Sequence, residues 1–190
     1  MKSAAVTVAL ALSALALPAA AQMNMSAVYV GATVGQSKFK DACTGLTAGV
    51  SCDDQDTAWR ILAGYQFNPN FAAELGYHNL GETKASGGGV NASIKATAWE
   101  LVGLGILPLG NQFGVYGKLG VHHSEAKLNS NVGVTGEDSG NGLTFGAGVQ
   151  FNVMPALGLR AEWQRYRNLG GESDNGDVDV ISIGGIWRFR

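Results

Sequence analysis

The stretch TAWRILAGYQFNPNFAAELGYHNLG, residues 57–81, decides the fold. On both sides of the turn at residues 68–70, apolar and polar side chains alternate with period two, the pattern of a strand with two unlike faces. In the first half, one face carries Trp59, Ile61, Ala63, Tyr65 and Phe67, and the other carries Arg60, Leu62, Gly64 and Gln66. The second half alternates in the same way. Two such strands joined by a short turn predict an antiparallel hairpin.

The alternation recurs along the rest of the chain. Eight segments carry it, at 27–39, 57–67, 71–81, 94–107, 113–128, 143–153, 157–167 and 178–190. Short turns connect some of them, and four longer polar segments, 41–56, 84–93, 129–141 and 168–177, connect the others. Membrane barrels have short periplasmic turns and longer outer loops. We therefore predict an all-β fold, an eight-stranded antiparallel up-and-down transmembrane β-barrel with short periplasmic turns and long extracellular loops.

Alternation alone also fits a soluble barrel such as a lipocalin, and the content of the two faces decides between them. The polar faces mix single charges with glycine, as a narrow lumen requires, and only 15% of all residues are charged. Aromatic residues gather near both ends of the predicted strands, as at the two interfaces of a bilayer. The predicted aromatic girdle consists of Trp59, Phe67, Phe71, Tyr77, Trp99, Phe113, Phe151, Trp187 and Phe189.

The first 21 residues have the features of a secretory signal peptide. Lys2 precedes an apolar run from Ala4 to Leu17, and small residues follow up to Ala21. The run is shorter than the ~20 residues of a spanning helix, so cleavage before Gln22 is expected, with residues 22–190 forming the barrel domain. Export places Cys43 and Cys52, the chain's two cysteines, in an oxidising environment, where they should form a disulfide.

Over essentially all of the mature sequence, the chain resembles the OmpA-like transmembrane-domain family of small outer-membrane barrels. The resemblance rests on YVGATVGQSKF (29–39), AGYQFNPNFAAELGYHNLG (63–81), RAEWQRYRNLGG (160–171) and DVDVISIGGIWRFR (177–190). It implies both termini on the periplasmic side and insertion by the barrel-insertion machinery through the C-terminal strand. In the family an aromatic residue usually ends that strand, whereas here Arg190 follows Phe189.

Seven charged residues fall on the face assigned to the lumen. They are Arg60, Glu74, Glu100, Lys118, Arg160, Glu162 and Arg188. The interior of an eight-stranded barrel is just wide enough to be filled by side chains, so these residues should form an ion-pair network that plugs it. The alternative is a narrow, porin-like channel for small solutes or ions.

A second alternative is enzymatic. His122 and Ser124 share a strand face, with Glu125 adjacent, and faintly resemble the Ser–His–carboxylate set of outer-membrane lipid A deacylases. Glu125 points to the opposite face, however, and the face shared by His122 and Ser124 is the lumen. The adjacent His122 and His123 also point in opposite directions and make a poor metal site. We expect no catalytic residues and no cofactor.

The polar segments carry acidic residues but no other recognisable binding motif. Solvated loops account for Asp53, Asp54, Asp56, Glu137, Asp138, Glu172, Asp174 and Asp177 without a bound cation. Gly87–Gly89 lacks the lysine and hydroxyl residue of a phosphate-binding loop. With a net charge of −2 and no basic cluster, the chain gives no sign of binding nucleic acid. The sequence favours a non-enzymatic outer-membrane protein with a structural role, in contact with outer-membrane lipid and lipopolysaccharide, whose loops face a partner it does not identify.

Overall fold

The computed structural model describes residues 28–40, 43, 51–87, 90–131, 135–169 and 176–189. The predicted signal peptide and Arg190 lie outside these residues. Within them the chain forms nine strands and no helix long and apolar enough to cross a membrane. The strands are β1 Val28–Phe39, β2 Ser51–Asp53, β3 Gln55–Asn68, β4 Phe71–Gly87, β5 Val90–Leu109, β6 Phe113–Ser130, β7 Thr135–Met154, β8 Leu157–Tyr166 and β9 Val178–Arg188.

Eight of these strands close into an antiparallel barrel, which confirms the predicted fold. Each of them pairs with its neighbour in the barrel, and β1 pairs with β9 from Tyr29↔Arg188 to Phe39↔Val178, so the sheet has no free edge. The three-residue strand β2 stands outside the barrel and pairs with the outer end of β4. Cys52 on β2 is bonded to Cys43, as predicted, with 5.8 Å between their Cα atoms.

Two of the four segments predicted as long loops are largely strand. Strands β4 and β5 stay paired up to Gly87↔Val90, and β6 and β7 stay paired from Asn129↔Thr135 onward. The prediction ended the strands where apolar residues stop alternating. Beyond the membrane both faces of a hairpin are in water, so the backbone hydrogen bonds continue without an apolar face. These hairpins extend the barrel on the side opposite the termini, which we call the outer end.

The barrel interior is packed in three layers. Toward the turns and termini lies an apolar layer, formed by Tyr29, Leu62, Ala72, Val102, Leu104, Tyr116 and Ile186. Above it lie six buried charged residues on β3, β4, β5, β6 and β8, and we call them the ion-pair layer: Arg60, Glu74, Glu100, Lys118, Arg160 and Glu162. Toward the outer end is a second apolar layer, formed by Ala58, Leu80, Ala96, Ala98, Tyr166, Val178 and Val180. Buried polar side chains lie beside it, and the rings of His78 and His122 contact the ring of Tyr166.

The outer surface of the barrel is the reverse of its interior. Its exposed side chains include Ile61, Leu75 and Leu119, which have relative exposures of 54%, 52% and 65%. Alternate residues of one strand therefore face lipid and lumen, as the period-two pattern predicts.

Candidate functional site

The ion-pair layer is centred on Arg60, whose side chain is fully buried. Its guanidinium contacts three carboxylates: Nη2 lies 2.7 Å from Glu74 Oε2, Nε lies 2.7 Å from Glu100 Oε1, and Nη1 lies 2.9 Å from Glu162 Oε1. These glutamates stand on three different strands. The planar fork of arginine suits this task, because its N–H groups point in several directions within one plane.

Two more cations complete the layer. Lys118 Nζ lies 3.1 Å from Glu162 Oε1, and Arg160 Nη1 is paired with Glu74 Oε1. The layer thus contains three cations and three anions, and its formal charge is zero. A buried charge left without a partner is costly, so the balance is what allows six ionised groups to fill this space.

Each glutamate of the layer also accepts a hydrogen bond from a tyrosine. Tyr29 donates to Glu74 Oε1 at 2.8 Å, Tyr116 donates to Glu162 Oε2 at 2.8 Å, and Tyr166 donates to Glu100 Oε2 at 2.5 Å. These tyrosines belong to the two apolar layers, so their rings pack against apolar neighbours while their hydroxyls reach the carboxylates. The three layers are therefore held together by directed hydrogen bonds.

Arg160 sits between two of these rings. Its Cζ lies 5.3 Å from the centre of the Tyr29 ring and 5.1 Å from the centre of the Tyr116 ring, within cation–π range. Its Nε donates to Gln150 Oε1 at 3.0 Å. Each ring in turn lies over a glycine: a Cβ added at Gly64 would be 2.2 Å from Tyr29 Cζ, and one at Gly148 would be 2.6 Å from Tyr116 Cζ.

Gly64→Val should therefore push Tyr29 away from Glu74 and lower the free energy of unfolding by about 1 to 3 kcal/mol, as overpacking does elsewhere. Gly105→Val is the matched control, because a Cβ at Gly105 has no neighbour within 4 Å. Urea unfolding in lipid vesicles measures both. Equal losses at the two glycines would show that the tyrosine does not depend on the space at Gly64.

Arg188, the seventh residue predicted for the network, lies apart from the other six. It is half-buried at the periplasmic mouth, where Nη2 donates to Asn152 Oδ1 at 3.0 Å. Among the described residues it has no carboxylate within ion-pair distance. Arg188 lies on β9 at the periplasmic side of the apolar layer, so that layer separates it from the glutamates. The period-two pattern gives the face on which a residue lies but not its height along the barrel axis.

The residues weighed for catalysis do not form a catalytic set. His122 and Ser124 face the interior and Glu125 faces outward. His122 Nε2 is 2.9 Å from the carbonyl oxygen of Arg167, and Ser124 Oγ donates to the carbonyl oxygen of Gly140 at 3.4 Å. In the described part of the chain no group of three or more His, Cys, Asp and Glu residues is arranged to hold a metal ion.

The nine residues predicted for the aromatic girdle all lie on the outer surface, at least partly exposed. At the outer end Tyr77 stands between Trp59 and Trp99, with ring-centre distances of 5.8 and 5.0 Å. At the periplasmic end the rings of Phe113 and Phe151 are 4.8 Å apart. The ring contacts thus link neighbouring strands at both ends, β3 to β5 at the outer end and β6 to β7 at the periplasmic end.

Sequence reasoning missed the uncharged members of the site. Tyr29, Tyr116 and Tyr166 were not assigned to the site. Their side chains nevertheless lie on the lumen face of their strands: Tyr116 is two positions before Lys118, and Tyr166 is four positions after Glu162. Gln164, which donates to Glu100 Oε2 at 2.5 Å, lies between Glu162 and Tyr166 on the same face of β8. An even spacing from a lumen-facing charged residue was the sequence signal that could have found Tyr116, Gln164 and Tyr166.

The comparisons with known proteins agree with this geometry. The family model described as "Outer membrane protein beta-barrel domain" matches residues 7–189. The chain belongs to this family. Family membership places the barrel in the outer membrane, and it confirms both the predicted resemblance and the predicted localisation.

Relatives of the chain include outer membrane protein A of Shigella flexneri, which is 30% identical over 196 residues, and outer membrane protein A of Escherichia fergusonii, which is 31% identical over 199 residues. Each alignment covers 100% of this chain and 56% of the relative. The chain thus spans little more than half the length of these relatives.

Solved structures share the barrel. Ail, the attachment invasion locus protein of Yersinia pestis, superposes with a TM-score of 0.59 at 21% identity, covering 87% of this chain and 100% of Ail. The N-terminal β-barrel domain of Pseudomonas aeruginosa OprF superposes with a TM-score of 0.58 at 14% identity, covering 86% of this chain and 98% of that domain. At these identities the likeness shows the fold.

Proposed function

We propose that this protein is a non-enzymatic structural component of the outer membrane whose barrel is closed to solutes. The observation that carries the proposal is the filled lumen: the neutral ion-pair layer lies between two apolar layers, and Arg60 spans it to reach three glutamates. A conducting path needs continuous open space, and buried side chains fill the lumen on both sides of the ion-pair layer, with His78 and His122 packed beside the apolar residues at the outer end. The protein then acts by being embedded and by displaying its outer hairpins and loops.

Conductance across planar bilayers tests the closed lumen. We expect the wild-type protein to show at most rare, small current events, because any path requires the ion pairs to rearrange. Lys118→Gln should change the frequency of such events, since it removes one cation from the layer, whereas Arg165→Gln on the outer surface should not. Sustained, large currents through the wild-type protein would favour the porin-like channel.

The absence of catalysis is tested separately. A lipid substrate lies outside the barrel, whereas His122 and Ser124 lie inside it, so the barrel wall separates them. The mass of lipid A from cells that make the protein should equal that from cells lacking it. Loss of an acyl chain that requires Ser124 would establish an enzyme. For the structural role, cells that lack the protein should release more of a periplasmic marker protein under detergent stress than cells that make it.

We also infer that β9 is the strand that the insertion machinery recognises. This strand completes the barrel against β1, and Phe189, half-exposed on the outer surface, donates its backbone N–H to the carbonyl oxygen of Val28 at 3.0 Å. Phe189→Ala should lower the fraction of protein that shows the heat-dependent shift of a folded barrel on gels. Deleting Arg190 should not lower this fraction.

A further inference from the structure

A row of charged residues crosses three neighbouring strands at the outer end of the barrel. Lys38 on β1 and Arg165 on β8 both stand directly opposite Asp179 on β9 in the strand register. Arg165 donates two hydrogen bonds to Asp179, from Nε to Oδ1 at 2.7 Å and from Nη2 to Oδ2 at 2.8 Å. Lys40 Nζ lies 3.5 Å from Asp179 Oδ2. Asp179 therefore forms ion pairs with both Arg165 and Lys40.

The charge of this region is positive. Lys38, Lys40, Arg165 and Arg167 form what we call the rim cation cluster, and the described acidic residues among them are Asp177 and Asp179. The cations outnumber the carboxylates by two. The described outer parts of β2 to β7 have the opposite balance, with seven acidic residues, Asp53, Asp54, Asp56, Glu82, Glu125, Glu137 and Asp138, and three basic residues, Lys84, Lys95 and Lys127. Among the described residues, the excess of cations is confined to the outer ends of β8, β9 and β1. It is bordered on the β3 side by Asp54 and Asp56, because Asp56 pairs with Ser37 in the strand register and Phe39 donates its N–H to the Asp54 carbonyl oxygen.

The surface changes from charged to apolar directly below this row. A shallow groove of about 480 Å³ runs down the outer surface, and its lining includes the apolar residues Val34, Trp163, Ile181 and Ile183 and the charged pair Lys38 and Asp179. Trp163 stands two residues below Arg165 on β8, and the Arg165 Cζ lies 5.5 Å from its ring centre. Tryptophan beside a cation is typical of the level at which lipid headgroups meet acyl chains. The groove therefore has the two-part character of a lipid, charged above and apolar below.

We propose that the rim cation cluster binds the phosphate group of an anionic glycolipid of the outer leaflet, with an acyl chain of that lipid in the groove below. Lysine and arginine are the side chains that bind phosphate, arginine through its fork and lysine as a point charge. The pair with Asp179 uses Nε and Nη2 of Arg165 and holds the guanidinium in place, while Nη1 stays outside that pair. This lipid site rests on the proposed function, which places this rim at the outer leaflet of the outer membrane.

Native mass spectrometry of the full-length barrel in neutral detergent tests the proposal, with bisphosphorylated lipid A as the probe. Lipid A from which both phosphates have been removed is the first comparison, and inorganic phosphate is offered as a competitor. We expect the wild-type protein to retain bisphosphorylated lipid A at least about tenfold more strongly than the dephosphorylated form, since charge-assisted hydrogen bonds are the strong ones. Inorganic phosphate at equal concentration should not displace it, because it lacks the acyl chain.

Two double variants are compared, and each removes two positive charges, one pair from the rim cation cluster and the other pair from the opposite side of the rim. Lys38→Gln with Arg165→Gln should reduce lipid A retention about tenfold, while Lys95→Gln with Lys127→Gln should change it less than about twofold. Folding of each variant is checked by its heat-dependent gel shift. If the first variant does not fold, a salt titration of the wild-type protein decides, because retention through phosphate must weaken as ionic strength rises.

Equal retention of the two lipid A forms, equal losses in the two double variants, or retention that does not depend on salt would overturn the proposal. Full displacement by inorganic phosphate would assign the cluster to a free anion and not to a lipid. None of these outcomes affects the conductance and lipid A mass measurements, so failure here is distinguishable from failure of the proposed function.

Discussion

Replacing Arg60 with alanine should lower the free energy of unfolding by about 3 to 5 kcal/mol, the range for breaking a buried ion pair from one side. The variant would leave Glu74, Glu100 and Glu162 with two cations, Lys118 and Arg160, in a space closed to water. Removing one partner is costly because the other charges remain buried. Urea unfolding in lipid vesicles, followed by tryptophan fluorescence, measures the change.

Two further variants separate the burial of Arg60 from its charge. Arg165→Ala removes an arginine from a two-hydrogen-bond pair on the outer surface, where its side chain is 26% exposed, and should cost no more than about 1 kcal/mol. Arg60→Lys keeps the charge but cannot reach three glutamates at once, so its loss should fall between the other two. A similar loss in Arg60→Ala and Arg165→Ala would contradict the ion-pair layer as a source of stability.

The sequence predicts the faces of the strands better than the contacts between them. Period two assigns Arg60, Glu74 and Glu162 to the lumen because a strand's side chains alternate with little freedom. It cannot pair Arg60 with Glu162, since 102 residues separate them and their contact depends on how far the strands are staggered around the closed barrel. Which charges meet is thus a property of closure, and which charges face inward is a property of each strand.

The outer hairpins show a second limit. Residues 84–93 look like a loop because glycine and serine interrupt the alternation, yet Lys84 pairs with Ser93 in a regular ladder. Backbone hydrogen bonds specify a strand without help from side chains once a neighbouring strand is in register. The apolar alternation indicates which part of a strand is in contact with lipid, and it does not indicate the full length of the strand.

Arginine in place of Leu119 should lower the free energy of unfolding by about 2 to 4 kcal/mol, the cost of a cation on the lipid face near the bilayer midplane. Leu119 is 65% exposed and lies on β6 between Phe113, at the periplasmic end, and His123, which pairs with the outer-girdle residue Trp99. In water such exposure would make the change harmless. The large expected cost comes from the bilayer alone, so the result tests whether this surface faces lipid.

Asn129→Arg is the matched control, because Asn129 is an exposed residue of the same strand and the same face, ten positions nearer the outer end. There the strand has left the membrane, and the added cation should change the free energy of unfolding by less than about 0.5 kcal/mol. Both variants are compared by urea unfolding in the same vesicles. If Leu119→Arg were as stable as Asn129→Arg, the apolar surface of β6 would not be in contact with the bilayer core. A cost at position 119 alone would tie the loss of stability to depth in the bilayer, since the two variants share the strand, the face and the introduced arginine.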